Sequence, residues 1–237
     1  MRWIFRTFVP LTVLGCALAP AVPAAAGTPA AGAAPEAVTA FHFDGVAPGA
    51  LPAGWTVDAT HPGKSLARWK AARDEAAPSP PNVLRVFPPA GNPGGTFNLC
   101  WTRKVAFEDG TIEVRLRADS GSEDQGGGPA WRMRGRNDYY VARYNPLEHN
   151  FRLYRVKDGH RRMIASSERI PIGAGRWFTI RIVHRGDHIQ CFLDGEKRID
   201  VHDSTFAGPG GIGLWTKADA ATSFDDLVIR PEGGPAR

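Results

Sequence analysis

Cysteine is scarce in this chain, at three in 237 residues, so a disulfide-dense scaffold is excluded. Helical periodicity is equally thin. Past residue 26, no apolar pattern of period 3.6 runs longer than about two turns, which excludes a bundle or coiled coil. No period of 20–50 residues is visible, which argues against a solenoid or propeller. Chemical motifs are missing as well. There is no Walker-type phosphate loop, no His-Glu-x-x-His, no paired Cys-x-x-Cys and no Gly-x-Ser-x-Gly elbow. A Glu-x-Asp-x-x-Glu strand, which would set two carboxylates on one face of a glucanase cleft, is absent too. The seven histidines are scattered without metal-ligand spacing. A formal charge of +5 is too modest, without a recognised motif, to argue for nucleic-acid binding.

The amino terminus reads as an export signal. Arg2 and Arg6 form a basic n-region, Phe8 to Ala19 is mostly apolar, and Ala24-Ala25-Ala26 supplies the small residues before a cleavage site. Pro10 and Pro20 interrupt the run, so it is too short for a transmembrane helix. Cys16 follows Val13-Leu14-Gly15, a faint lipoprotein box with Leu14 where a small residue is usual, so lipid anchoring ranks below cleavage. The expected organisation is a signal peptide over 1–26, an Ala/Pro/Gly linker over 27–37, one β domain over 38–230 and a polar tail over 231–237. Cleavage removes two arginines and no acid, so the formal charge falls by two. The mature chain is expected in the periplasm or outside the cell, as a monomer.

The body is written in strands and turns. Thr111 to Arg117 alternates polar and apolar residues, as does Phe178 to Ile182. Asp194-Gly195 and Lys157-Asp158-Gly159-His160 each sit between two strand-like runs, the mark of a type I′ hairpin. Further strands are expected at Ala40–Phe43, Leu66–Ala71, Val83–Phe87, Thr96–Thr102, Ala130–Arg134, Tyr139–Tyr144, Gly211–Thr216 and Ser223–Ile229. A dozen short strands imply a sandwich of two antiparallel sheets. Cys100 alternates with Asn98 and Thr102, Cys191 with Ile189 and Leu193, and both are expected as buried free thiols.

The functional candidates cluster between Ser120 and Lys217. A polar loop carries Asp124, Gln125 and three consecutive glycines, and leads into Trp131 and Arg132. On the strand from Tyr139, the residues Tyr139, Val141 and Arg143 point one way, and Tyr140, Ala142 and Tyr144 the other. Asn145 and Glu148-His149 follow, and Trp215 and Lys217 come late in the chain. Sugars present apolar C–H faces and hydroxyl rims. Aromatic rings stack on the first, and Arg, Asn, Lys and carboxylates bond the second. The expected ligand contacts are therefore Gln125, Trp131, Arg132, Tyr139, Arg143, Asn145, Trp215 and Lys217.

The runs FHFDG (Phe41–Gly45), DGTIEVRLRA (Asp109–Ala118), GGGPAWR (Gly126–Arg132), YYVARYNPLE (Tyr139–Glu148), FLDGEK (Phe192–Lys197) and GGIGLWTKADAATSFDDLVI (Gly210–Ile229), with an early Trp55, resemble exported domains of the concanavalin A-like lectin/glucanase superfamily. Within it, the likeness is to the bacterial 3-keto-disaccharide hydrolase domain family. The resemblance implies an all-β jelly roll with a glycan or glycoside ligand on its concave sheet. Hydrolase members commonly carry Gln-Asp-His after the Gly-x-Gly-Leu strand, where this chain has Trp215-Thr216-Lys217-Ala218-Asp219. Three functions follow as expectations. The first is glycan binding without cleavage. The second is cleavage of a 3-keto glycoside by one base, drawn from Glu148, Asp124 and His149, because the ketone acidifies the neighbouring C–H. The third is a cell-surface structural or interaction role. Related sandwiches often carry Ca²⁺, for which Asp225-Asp226 or Glu123-Asp124 would supply oxygens, although no ligand spacing marks either pair. No cofactor is expected.

Overall fold

The computed structural model describes residue 3 and residues 37–232. The chain divides into two units, 1–32 and 33–237. The signal peptide, Cys16, all of the linker but Ala37, and the tail beyond Glu232 lie outside the described residues.

Among the described residues all regular structure is extended. The strands in chain order are β1 (Thr39–Phe41), β2 (Trp55–Thr60), β3 (Arg68–Arg73), β4 (Asn82–Phe87), β5 (Phe97–Phe107), β6 (Gly110–Ser120), β7 (Gly128–Gly135), β8 (Asp138–Asn145), β9 (Asn150–Lys157), β10 (His160–Ser167), β11 (Trp177–Arg185), β12 (His188–Leu193), β13 (Glu196–His202), β14 (Gly210–Lys217) and β15 (Ala221–Pro231). A back sheet has the order β13-β12-β11-β6-β15-β4-β3, with β1 added on β15. A front sheet has the order β10-β9-β8-β7-β14-β5-β2. Every pairing is antiparallel.

The turn chemistry fixes the hairpins. Asp158 and Gly159 have φ of 51° and 80°, and Asp194 and Gly195 have 48° and 81°, the paired positive values of a type I′ turn. The strand β2 was not among the expected ones. It is short and punctuated by Gly54 before it and Pro62-Gly63 after it, yet Trp55, Val57 and Ala59 alternate inward. The last strand runs to Pro231, and Glu232 is tied down by Arg185, so order extends slightly past the expected boundary.

Alternation on β8 builds two apolar layers. Tyr140, Ala142 and Tyr144 join the main core between the sheets, with Trp55, Trp69, Phe107, Ile180, Leu214 and Phe224. Tyr139 and Val141 enter a second cluster on the other side of the front sheet, with Phe97, Leu99, Trp101, Met133, Tyr154, Val156 and Trp215. Cys100 and Cys191 come from opposite sheets into the main core and are both free thiols. Burial pushes both thiols well up from their ordinary range, as inert packing groups should be.

That second cluster exists because the front sheet curls. Arg161 on β10 lies over the Phe97 ring of β5 at 4.8 Å, although four strands separate them in the sheet, and over Tyr154 at 4.5 Å. The Thr60 hydroxyl donates to the Arg136 carbonyl and bonds the Tyr139 hydroxyl. His61 reaches the Gly159 carbonyl at 2.9 Å. The concave face is thus closed over its own core toward the β7–β8 and β9–β10 turns, and its functional groups lie at the opposite end.

Candidate functional site

At that opposite end β8 turns into β9 through Pro146 to His149. Asn145 Oδ1 accepts from the Leu147 and Glu148 amides, which folds the turn back, and His149 takes a left-handed φ of 51°. The turn brings Glu148 over Arg143. Arg143, though 2% exposed, donates from Nη1 to Asn150 Oδ1 at 2.8 Å and from Nη2 to Glu148 Oε2 at 2.8 Å. Its Nε is buried without a partner. Glu148 Oε2 also accepts from Asn150 Nδ2 at 3.0 Å and Arg152 Nη1 at 3.1 Å. Burial alone would raise the Glu148 carboxyl. The bonds from Arg143 and Asn150, with the charges of Arg143 and Arg152, outweigh it and hold the group at about 2.

The glycine-rich loop supplies the second carboxylate. Asp124 is buried, and its oxygens accept from Lys217 Nζ at 2.8 Å, Asn145 Nδ2 at 2.8 Å and the Gln125 amide at 3.1 Å. Burial raises this carboxyl despite Lys217 and Arg143. Asp219 holds the loop in place. Its carboxylate accepts from the amides of Ser122 (2.7 Å), Glu123 (3.1 Å) and Asp124 (2.9 Å), and from the Ser122 hydroxyl (2.8 Å). Burial pushes Asp219 up, but those amides pull it down to about 2. The glycines serve the same packing. A Cβ on Gly127 would lie 2.3 Å from the Trp215 carbonyl, and one on Gly128 would lie 2.0 Å from the Ala142 carbonyl. Gln125 donates to the Gly121 carbonyl while its own Oε1 is buried without a partner.

The cluster carries three cations (Arg143, Arg152, Lys217) and four carboxylates (Asp124, Glu148, Glu168, Asp219), with ion pairs running Arg143–Glu148–Arg152–Glu168 and, separately, Lys217–Asp124. Beside it an open groove of about 620 Å³ is lined by Glu148, His149, Glu168, Arg169, Ile170 and Pro171.

The structure gathers Asp124, Arg143, Asn145, Glu148 and Lys217 in this cluster, with Gln125 next to them. Two expected contacts lie elsewhere. Trp131 is on the inward side of β7, fully buried between the sheets, with Nε1 donating to His184 Nδ1 at 2.9 Å. Arg132 sits in a bulge with φ 47° and is pinned by the carbonyls of Glu108, Phe206 and Gly186 and by Asp109. Tyr139 and Trp215 do face the concave side, but as fully buried floor, with Trp215 Nε1 donating to Tyr139 Oη at 3.3 Å. The expected stacking of a sugar on these rings is therefore corrected, since both are fully buried and Phe97 packs against Trp215. Asn150, Arg152, Tyr154 and Asp219 complete the site and were not among the expected contacts. Tyr154 and Arg152 share a strand face with Asn150, which period 2 alone marks.

Asp124, Asp225 and Asp226, carboxylates named beside calcium, are engaged with other groups. Asp225 accepts from the amides of Ser79 and Asp226, and Asp226 pairs with His42 and Arg115. Asp124 is committed to Lys217. Among the described residues no group of three or more His, Cys, Asp or Glu gathers at metal-binding range. No described helix is long and apolar enough to cross a membrane.

Two antiparallel sheets, packed face to face with the front one curled around a polar end-cluster, define a concanavalin A-like jelly-roll β-sandwich. Solved structures share this fold. The carbohydrate binding module CBM66 from Bacillus subtilis superposes with a TM-score of 0.58 at 18% identity, covering 74% of this chain and 95% of that one. The cellulose induced protein Cip1 gives 0.53 at 15%, covering 84% and 100%. The Bacillus licheniformis beta-glucanase gives 0.52 at 10%, covering 83% and 98%. Residues 54–230 match the 3-keto-alpha-glucoside-1,2-lyase-like domain, and the chain belongs to that family. No curated protein matches it.

Proposed function

We propose that this domain binds the end of a short, neutral carbohydrate at the polar end of its concave sheet. The observation that carries the reading is the preformed cluster around Arg143. Its Glu148 lines an open groove with His149, Glu168 and Arg169, so carboxylate acceptors and a guanidinium donor meet there. A sugar hydroxyl is donor and acceptor at once, so a polyhydroxyl ligand matches both needs. Four carboxylates against three cations disfavour a polyanion. Closure of the other end, through Arg161 over Phe97 and the Thr60–Tyr139 bond, leaves no open track for a long chain across the sheet. Family membership and the likeness to a carbohydrate binding module support the ligand class. Isothermal titration against an oligosaccharide panel tests it. Saturable binding that is lost in Glu148→Ala is expected, and no heat at millimolar sugar would sink it. Export through cleavage after Ala26 belongs to the same proposal, as the sequence pattern implies.

A second reading is favoured by the family match. It is eliminative cleavage of a 3-keto glycoside. A base removes the proton from the carbon beside the ketone, and the electrons of that C–H bond form a C=C bond as the aglycone departs with the C–O pair. Glu148, held near 2 and triply bonded, is a poor base. Asp124, raised by burial, is the better one once Lys217 releases it. Incubation with a 3-keto glucoside tests this reading. Aglycone release that survives Glu148→Gln and fails in Asp124→Asn supports it, and no release in the parent chain removes it.

A further inference from the structure

The back sheet carries an aromatic residue that the main core does not use. Trp177 is on the solvent side of β11, half-buried, opposite Arg117 of β6. Arg117 covers the indole with its guanidinium 5.0 Å from the ring and is itself locked by Asp74 and Asp119. The other aromatic rings with a cation on this side, Phe192 and Phe87, sit under Arg181 and Lys70. Trp177 differs because it also lines an open groove of about 360 Å³, with Ala76, Pro78, Arg115, Thr179 and Asp194. Its Nε1 is buried without a partner.

The groove's walls are fixed in advance. Asp194 lies in the type I′ turn, where Oδ1 accepts from the Thr179 amide at 2.8 Å and Oδ2 from Arg176 at 2.9 Å. Each oxygen keeps a lone pair for another donor. Arg115 makes one ion pair, 3.4 Å from Asp226, so most of its five N–H groups are available. The opposite wall, Ala76 to Pro78, is tied by the Ser79 amide to Asp225 and by the Asp74 amide to the Pro81 carbonyl. Its volume lies in the range of small-ligand sites.

We infer that this groove is a second carbohydrate subsite, taking one neutral sugar ring with its apolar face against the side of Trp177 that Arg117 leaves uncovered. Hydroxyls on that ring donate to Asp194 and accept from Arg115. An anion would meet Asp194 and a cation would meet Arg115, so a neutral polyol satisfies the pair best. Because the groove is on the back sheet, it works independently of the concave cluster.

The test is a ¹H–¹⁵N titration with methyl β-D-glucopyranoside and cellobiose, following the Trp177 indole N–H, assigned by its loss in Trp177→Phe. A saturable shift is expected in the parent chain and in Lys217→Ala, whose alteration lies in the concave cluster. Apparent affinity should fall about tenfold in Asp194→Ala and in Arg115→Ala, the loss of about one hydrogen bond's worth of binding. Each of these alters an exposed side chain, and the unchanged dispersion of the other amides confirms folding. A stationary Trp177 signal with both sugars overturns the inference. A shift that both groove variants leave unaltered overturns it as well. Movement of the Gln125 side-chain amide signals alone, with Trp177 stationary, would support the concave site and refute this one.

Discussion

Replacing Lys217 with Met probes the concave cluster at its most exposed point of failure. In the parent chain Lys217 Nζ is 2.8 Å from Asp124 Oδ2, and Asp124 is 2% exposed. Removing the ammonium leaves a buried carboxylate with only Asn145 and the Gln125 amide for partners. Breaking one side of a buried pair costs about 3–5 kcal/mol, and the 18% exposure of Lys217 puts this case near about 3 kcal/mol. For a domain of this size that is a fall in Tm of about 6–12 °C at pH 7. The pH dependence carries the diagnosis. The folded-state pKa of Asp124 is raised, so its charged form opposes folding above that pKa and the opposition fades as pH falls through it. Without Lys217 the pKa rises further, so the deficit is greatest at high pH and shrinks as pH falls through the raised pKa. Thermal melts of the parent, Lys217→Met and the double variant Lys217→Met/Asp124→Asn, at several pH values, measure it. The double variant should recover most of the loss at pH 7. A single variant that melts like the parent at every pH refutes the paired, buried geometry.

Asp219→Ala frees three amides and a hydroxyl of the glycine-rich loop. Hydrogen exchange at Ser122–Asp124 should rise by at least about tenfold, with weaker sugar binding, whereas an unprotected loop in the parent chain would contradict the anchor. Arg161→Ala uncovers Phe97 and Tyr154, so dye binding to exposed apolar surface should increase, and no increase would mean the concave face is closed by other means. Burial, reinforced by the Arg132 charge, lowers His184 to about 3, and an unfolded histidine titrates near about 6.5. Its contribution is therefore complete above pH 6.5 and declines by about 1.4 kcal/mol per unit as pH falls toward 3. The difference in stability between the parent and His184→Gln should narrow between pH 7 and 5, and a constant difference would show that His184 titrates in the fold as it does in the unfolded chain. Asp225, raised to about 6 by burial, acts oppositely and cancels in that difference.

Most of the fold could be read from period-2 alternation and Asp-Gly turns, because each strand has an inward side to declare. The site was legible only in part, and β8 shows why. Both of its faces are apolar or aromatic, since the curled front sheet buries a second cluster on its concave side. Alternation separates Tyr139 from Tyr140 but cannot tell which face is open when both are covered. Trp131 and Trp215 have the same composition signal, yet one lies between the sheets and the other under the concave floor. Arg132 reads as a strand arginine, and only the bulge after Trp131 turns it into a buried tie between loops. Arg143, Asn145 and Glu148 were within reach because they are close in sequence. Asp219 meets Ser122 across a gap of 97 residues, and no local pattern reports that meeting.

The central claim is that a carbohydrate end occupies the cluster around Arg143. A crystal structure of the domain soaked with a short neutral oligosaccharide tests it most directly. The predicted result is a terminal sugar ring within hydrogen-bond distance of Arg143, Gln125 and Glu148, with the concave floor of Trp215 and Tyr139 unmoved. A sugar lying along the sheet over an opened Tyr139–Trp215 floor, or a saturated crystal with that cluster empty, would contradict it.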